Sequence, residues 1–264
     1  MALKTIKIQC KSLGFRYGKK DILHNISHKF SSGSFCAILG RNGSGKTTFL
    51  HCLNGIHKPY TGEILINGNN SQFMSQREIA KSISIVAQEY MEIFPFKVLD
   101  VVVMGRAPFI GMTSVPDKKD YQLAINALTT LNAAKLANLN FNKISGGERQ
   151  IAMLASALVQ TNEIILLDEP TNHLDFNKKY LFLFKIKQLC KIKNTCVIAS
   201  MHDPNLAMLF ADSVILLNNG KIIDQGPTKK IMTKHNIDTL YKTDSAQIDI
   251  SLTKKIFMPQ SVLK

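Results

Sequence analysis

The stretch Gly40-Arg41-Asn42-Gly43-Ser44-Gly45-Lys46-Thr47 follows five apolar residues, Phe35 to Leu39, and leads into a helix-forming run that ends near Gly55. The spacing G-x-x-x-x-G-K-[ST], set between a strand and a helix, is compatible with few folds. Glycines let successive backbone N–H groups close around phosphate oxygens, and the N-terminus of the following helix adds positive potential. In such a loop Lys46 reaches the β- and γ-phosphates, and Thr47, with Thr48 beside it, offers a hydroxyl to Mg²⁺. A glycine-rich turn without a ligand is the plainer alternative. The strand before and the helix after it make a nucleotide site the expectation.

Elsewhere short apolar runs alternate with helix-length segments, the pattern of a mostly parallel sheet flanked by helices. Strands are expected over 5–9, 35–39, 83–87, 163–168, 195–200 and 213–217. The first third reads as more antiparallel, with turns at Ser31-Ser32-Gly33 and Asn67-Gly68. From about 89 to 160 the strand pattern gives way to helices, and Tyr121, Ala124, Ile125, Leu128 and Leu131 fall at helical spacing on one face. No run approaches the ~18–20 apolar residues that cross a bilayer. The N-terminus alternates like a strand and lacks the apolar centre of a signal peptide, so the chain is expected to stay in the cytosol.

Charge and cysteine content exclude other classes. The net charge is +14, but the lysines are spread, with pairs only at Lys118-Lys119, Lys178-Lys179 and Lys229-Lys230. With no arginine-rich arm and no interleaved aromatics, a nucleic-acid partner is not expected. A solvated basic surface and attraction to an anionic membrane face both stay open. Cys10, Cys36, Cys52, Cys190 and Cys196 have no C-x-x-C spacing, which predicts reduced, packed thiols and not a metal or redox site.

Two further segments carry chemistry. Ile164-Ile165-Leu166-Leu167 reads as a buried strand ending in Asp168-Glu169-Pro170. A carboxylate at the C-terminal end of a core strand lies beside the phosphate loop in such sheets. Asp168 can there hold Mg²⁺, and Glu169 can polarise an attacking water, although two acids in a plain turn are the simpler alternative. Ser145-x-x-Glu148 is a capping box that opens a helix running to about Gln160, and its Gly146-Gly147 opening is also an anion site.

Ile144-Ser145-Gly146-Gly147-Glu148 resembles the LSGGQ signature of ABC ATPases, with Ile for Leu and Glu for Gln. Gln88, after a strand, is similar to the Q-loop glutamine, and Asn172-His173-Leu174-Asp175 looks like the D-loop. His202, just before Asp203-Pro204, matches the switch histidine. Tyr17, within Gly14-Phe15-Arg16-Tyr17-Gly18, matches the aromatic that stacks on adenine. A lone histidine or tyrosine is more often a packing residue, but these elements follow the family's order from about Leu13 to Tyr241. A narrower likeness joins Val101 to Pro108, Ser145 to Gln150 and Met201 to Ala207 to importer ATPases for iron-siderophores, haem and cobalamin. Ser156, where that family often carries Arg, and Phe94-Pro95-Phe96-Lys97 depart from its pattern.

The resemblance implies an α/β fold: a P-loop NTPase (RecA-like) core with an antiparallel β N-terminal part and a helical insertion, of the ABC ATPase type. Its segments would be 1–88 (antiparallel part and first half of the core), 89–160 (helical insertion with the signature) and 161–264 (second half and C-terminal tail). ATP and Mg²⁺ are the implied cofactors, with Thr47, Gln88 and Asp168 toward the metal. Glu169, His202, Gln88 and Lys46 would be catalytic, and Tyr17, residues 40–48 and Ser145 to Gly147 would hold nucleotide. Ser145 and Gly147 would come from a second, head-to-tail copy. The implied partners are an integral-membrane permease and, through it, a substrate-binding protein, at the cytoplasmic face of the inner membrane. The permease would meet a surface near residues 89–115. An ATPase for another solute such as molybdate, an exporter subunit and a non-transport ABC ATPase remain as alternatives. The tail after Tyr241 carries no legible motif.

Overall fold

Apolar residues on both faces of four neighbouring parallel strands build the centre of the molecule, whose computed structural model describes residues 5–88, 95–111, 113–172, 174–251 and 254–260. In chain order, β1 (Ile6–Tyr17) and β2 (Lys20–Ser31) pair antiparallel, and β3 (Phe35–Leu39) leads into α1 (Lys46–Leu53). Then come β4 (Thr61–Ile66), β5 (Asn69–Asn70), α2 (Gln76–Ser82) and β6 (Ile83–Val86). The helical stretch holds α3 (Val98–Val103), a 3-10 segment Met104–Phe109, α4 (Lys118–Thr130) and α5 (Gly146–Gln160). β7 (Ile164–Leu167), α6 (Phe176–Lys193), β8 (Cys196–Met201), α7 (Pro204–Phe210), β9 (Ser213–Asn218) and β10 (Lys221–Pro227) complete the core. α8 (Thr228–Ile231), α9 (Lys234–Tyr241), β11 (Ser245–Ser251) and β12 (Lys254–Pro259) close the chain.

One sheet is antiparallel, ordered β2-β1-β4-β5; the larger runs β10-β9-β3-β8-β7-β6, parallel from β9 to β6. Strand residues alternate between faces, which explains why the central strands are apolar without a break. Phe35, Ala37 and Leu39 enter the core shared with the helices, while Cys36 and Ile38 enter the core shared with α1 and the antiparallel sheet. β7 and β9 divide their residues in the same way. Two-sided burial makes each of these strands intolerant of a charge until it ends, and each chemical group stands at such an end.

Several expectations shift. The first strand is not 5–9 but Ile6–Tyr17, broken by register shifts around a left-handed Ser12 (φ 49°). Such bulges interrupt the period of two. The helix after the phosphate loop stops at Leu53, with Gly55 at φ 72° just beyond it. On α4 the buried residues are Asp120, Ala124, Ala127 and Leu128, whereas Tyr121 and Ile125 lie at its exposed edge. Asp120 is buried because Arg106 reaches it, Nε to Oδ1 at 2.9 Å. All five cysteines are buried and free. Burial pushes the thiols of Cys36, Cys52 and Cys190 up to about 12. Phe94, His173, the first six residues of the surface near 89–115 and the last four of the tail lie outside the described residues. Among those described, no helix is long and apolar enough to cross a membrane.

Candidate nucleotide-hydrolysis site

Four loops meet at the C-terminal ends of the parallel strands. β3 ends at the phosphate loop, β6 just before Gln88, β7 at Asp168-Glu169, and β8 just before His202. Gly43 and Gly45 take positive φ (75° and 102°), which turns the loop into α1. A Cβ on Gly40 would lie 2.4 Å from the Leu217 carbonyl oxygen and 2.5 Å from Ser44 Oγ, so only glycine leaves the cradle open. Ser44 Oγ is itself buried without a hydrogen-bond partner among the described residues. An orphaned hydroxyl, backbone N–H groups at a helix start and a lysine form a cradle suited to phosphate. The adjoining cleft, about 440 Å³, is lined by Asn42, Gly43, Gly45, Lys46, Thr47, Thr48, Gln88 and Glu169, with Lys20 and Ile22 from β2.

Lys46 is almost wholly buried. Its Nζ donates to the carbonyls of Gly40 (3.0 Å) and Arg41 (3.3 Å) and stands 3.7 Å from Glu169 Oε1. Burial draws the amine below its ordinary value, while Glu169 and Asp168 oppose that shift. His202 puts Nε2 against Glu169 Oε1 and Nδ1 3.5 Å from Lys46 Nζ. The Nε2 contact suits a ring that donates from that nitrogen to the carboxylate. Glu169 is thus the hub: its second oxygen accepts from Asn172 Nδ2, and its backbone sits at φ 47°.

Ser200 was not foreseen. Its Oγ donates to Asp168 Oδ1 at 2.6 Å and accepts from the Glu169 N–H at 2.8 Å, so one buried hydroxyl spans both acids. It sits inside an apolar strand where only its position two residues before His202 could have flagged it. His57 was missed as well: Nε2 is 2.6 Å from the Tyr17 hydroxyl, and its ring stacks on Phe15 with centroids 4.8 Å apart. Tyr17 itself, half-exposed, ends β1 opposite Lys20 on the cleft wall.

The structure gathers Lys46, Thr47, Gln88, Asp168, Glu169 and His202, but not the signature residues. Ser145, Gly146 and Gly147 line none of this cleft. Ser145 caps α5: its Oγ and N–H both donate to Glu148 Oε2 (2.7 and 2.9 Å), and its Oγ accepts from the Glu148 N–H. Those bonds hold the Glu148 carboxyl below its ordinary range.

A parallel sheet with a phosphate loop, two acids and a histidine gathered at its strand ends defines a P-loop nucleotide hydrolase. The ABC transporter family profile matches residues 23–172. The chain belongs to that family, as an ATP-binding, ATP-hydrolysing transporter subunit. It is 37% identical over 238 residues to a Helicobacter pylori (strain 26695) protein named probable iron chelatin transport ATP-binding protein, covering 89% of this chain and 93% of that one. It is 32% identical to the ferric enterobactin transport ATP-binding protein of Escherichia coli K12, covering 91% and 89%. The molybdate import ATP-binding protein of Haemophilus influenzae (strain Rd) is 34% identical, covering 89% and 87%. A solved metal-chelate type ABC transporter, captured inward-facing, superposes with a TM-score of 0.86 at 31% identity, covering 98% of this chain and 99% of that one.

Proposed function

We propose that this chain powers uptake of a metal chelate (iron-siderophore, haem or a cobalamin-like solute) by closing and reopening against a second copy of itself beneath a membrane permease. In this reading the loop of residues 40–48 cradles the phosphates of ATP, and Lys46 spans the β- and γ-phosphates. Thr47, Gln88 and Asp168 supply the oxygen donors that suit Mg²⁺, whose charge would offset that of the phosphate oxygens. The arriving triphosphate takes the Lys46 amine and the His202 Nε2–H over from Glu169. That frees the Glu169 carboxylate to accept a proton from the attacking water, while His202 donates to a γ-phosphate oxygen. Tyr17 stacks on adenine. Ser145, Gly146 and Gly147 act on the nucleotide of the facing copy, which accords with their absence from the cleft of their own chain.

The division at 89–160 gives the permease its handle. An apolar groove of about 660 Å³ runs between Phe96, Val103, Met104, Ala107, Ile110 and Tyr121 on this stretch. Arg77 fixes one wall through the carbonyls of Pro108 (2.8 Å) and Ile110 (3.0 Å). A short amphipathic helix of a permease fits such a groove, and movement of the helical stretch on dimer closure would pass to it. The location that follows is the cytoplasmic face of the inner membrane, with a substrate-binding protein beyond the permease.

The observation that carries the chelate reading is the end-to-end likeness to a metal-chelate type transporter. The likeness to a molybdate import protein supports an oxyanion as the second reading. Gentle purification from native membranes, with identification of the co-purifying chains, tests both. A many-helix permease with a solute-binding protein is expected, and the bound solute decides between chelate and oxyanion. Recovery from the soluble fraction with nucleic acid or ribosomes would overturn the transport reading.

A further inference from the structure

The C-terminal segment carries no motif, yet it is wired to the loop that presents His202. The Tyr241 hydroxyl, at the end of α9, donates to the His202 carbonyl at 2.8 Å. Three residues after His202, Asn205 pairs reciprocally with β12: its Nδ2 donates to the Phe257 carbonyl (3.0 Å), and the Phe257 N–H donates to its Oδ1 (2.7 Å). The side-chain amide thus takes the place of a neighbouring strand. Between them Asp203 caps α7, accepting from the N–H groups of Asn205 (2.8 Å) and Leu206 (3.1 Å). The segment that supplies these bonds is itself anchored. Ile237, Leu240 and Phe257 are buried in the main core. The Ser245 N–H donates to Asp238 Oδ1 at 2.7 Å, and the Gln260 N–H to the Asp244 carbonyl at 2.8 Å, closing the hairpin.

We propose that α9 and the β11–β12 hairpin brace the histidine loop, with Tyr241 as a positioning residue that sets where the His202 ring stands over Glu169 and the γ-phosphate. The inference rests on the assignment of His202 under the proposed function. Its physical basis is that the Tyr241 bond fixes the His202 carbonyl, so the backbone from which the ring hangs cannot shift without breaking that bond. Small misplacements of a group that acts on the transferring phosphate cost rate more than binding.

The test is steady-state ATP hydrolysis by the full chain with Tyr241→Phe, which keeps the ring and removes the hydroxyl. One lost hydrogen bond of ordinary strength predicts a kcat about fivefold lower, with the KM for ATP within about twofold of the wild type. Tm should move by no more than about 4 °C. Asn205→Ala, which cuts the loop from β12, should lower kcat in the same way with KM unchanged. Unchanged kcat in Tyr241→Phe overturns the brace, whatever Asn205→Ala does. So does a loss of kcat that disappears when proteins are compared at equal folded fraction. His202→Ala run in parallel separates the two claims: wild-type turnover there removes the histidine assignment and the brace with it. An inactive His202→Ala beside a normal Tyr241→Phe removes the brace alone.

Discussion

Glu169 holds a left-handed backbone (φ 47°) that a residue with a Cβ adopts only when its surroundings insist. They do so here through Ser200, which accepts from the Glu169 N–H, and through Asn172 and His202, which take both carboxylate oxygens. The carboxylate is therefore aimed into the cleft before any nucleotide arrives. Glu169→Gln keeps the shape and the Asn172 side of this arrangement while removing the proton acceptor. It should bind ATP normally, as read by a fluorescent nucleotide, and lose at least about a hundredfold in phosphate release. Turnover at the wild-type rate would take Glu169 out of the base role. Asp168 and Glu169 were legible because an unbroken apolar run ends in them. Ser200 was hidden because a single serine in a buried strand looks like a small packing residue until its partners are known.

At the scale of elements, Arg106 ties the 3-10 segment Met104–Phe109 to the two helices behind it. Arg106 donates to Asp120 Oδ1 on α4 (2.9 Å) and to the Val159 carbonyl on α5 (3.3 Å), and its guanidinium lies 4.1 Å above the Phe109 ring. Gly105 beside it presses on α5, where a Cβ would meet the Ser156 carbonyl oxygen at 2.2 Å. Arg106→Ala should cost about 1–3 kcal/mol in urea unfolding at neutral pH, the usual range for a part-buried charged hydrogen bond. The Arg106 bond holds the Asp120 carboxyl below its ordinary range. A depressed folded value gives stability that is present above the unfolded carboxylate pKa and lost as pH falls through the folded one. The gap between variant and wild type should therefore narrow below about pH 4.

Elements with two-sided burial were readable nearly to the residue, as β3 and α5 illustrate. The long β1 was not, because its bulge at Ser12 breaks the alternation. The inward face of α4 was read in part: Ala124 and Leu128 are buried on it and Leu131 just past its end, but Asp120 is buried through a partner fourteen positions away, and no helical period reports that. The β11–β12 hairpin escaped notice although Ala246, Ile248 and Ile250 alternate with Gln247, Asp249 and Ser251, because no Asn-Gly or Asp-Gly pair follows them to signal a turn.

For the whole molecule, the proposed head-to-tail pair would set the stoichiometry of the chemistry. In such a pair a Lys46→Ala chain would lack its own cradle lysine but could lend Ser145; a Ser145→Ala chain would do the reverse. Each alone should be inactive as a symmetric dimer. Mixed in equal amounts, random pairing makes half the dimers mixed with one intact site of two, so about a quarter of wild-type sites should return. Recovery of no activity would contradict a head-to-tail pair. To follow closure of such a pair, a reporter must be attached at a chosen point, and here the buried thiols matter. All five cysteines are shielded, and burial keeps each thiol protonated well above neutral pH. The native chain is in that respect its own blank: a single cysteine placed at an open position such as Phe73, 88% exposed, would be the one site a maleimide probe finds.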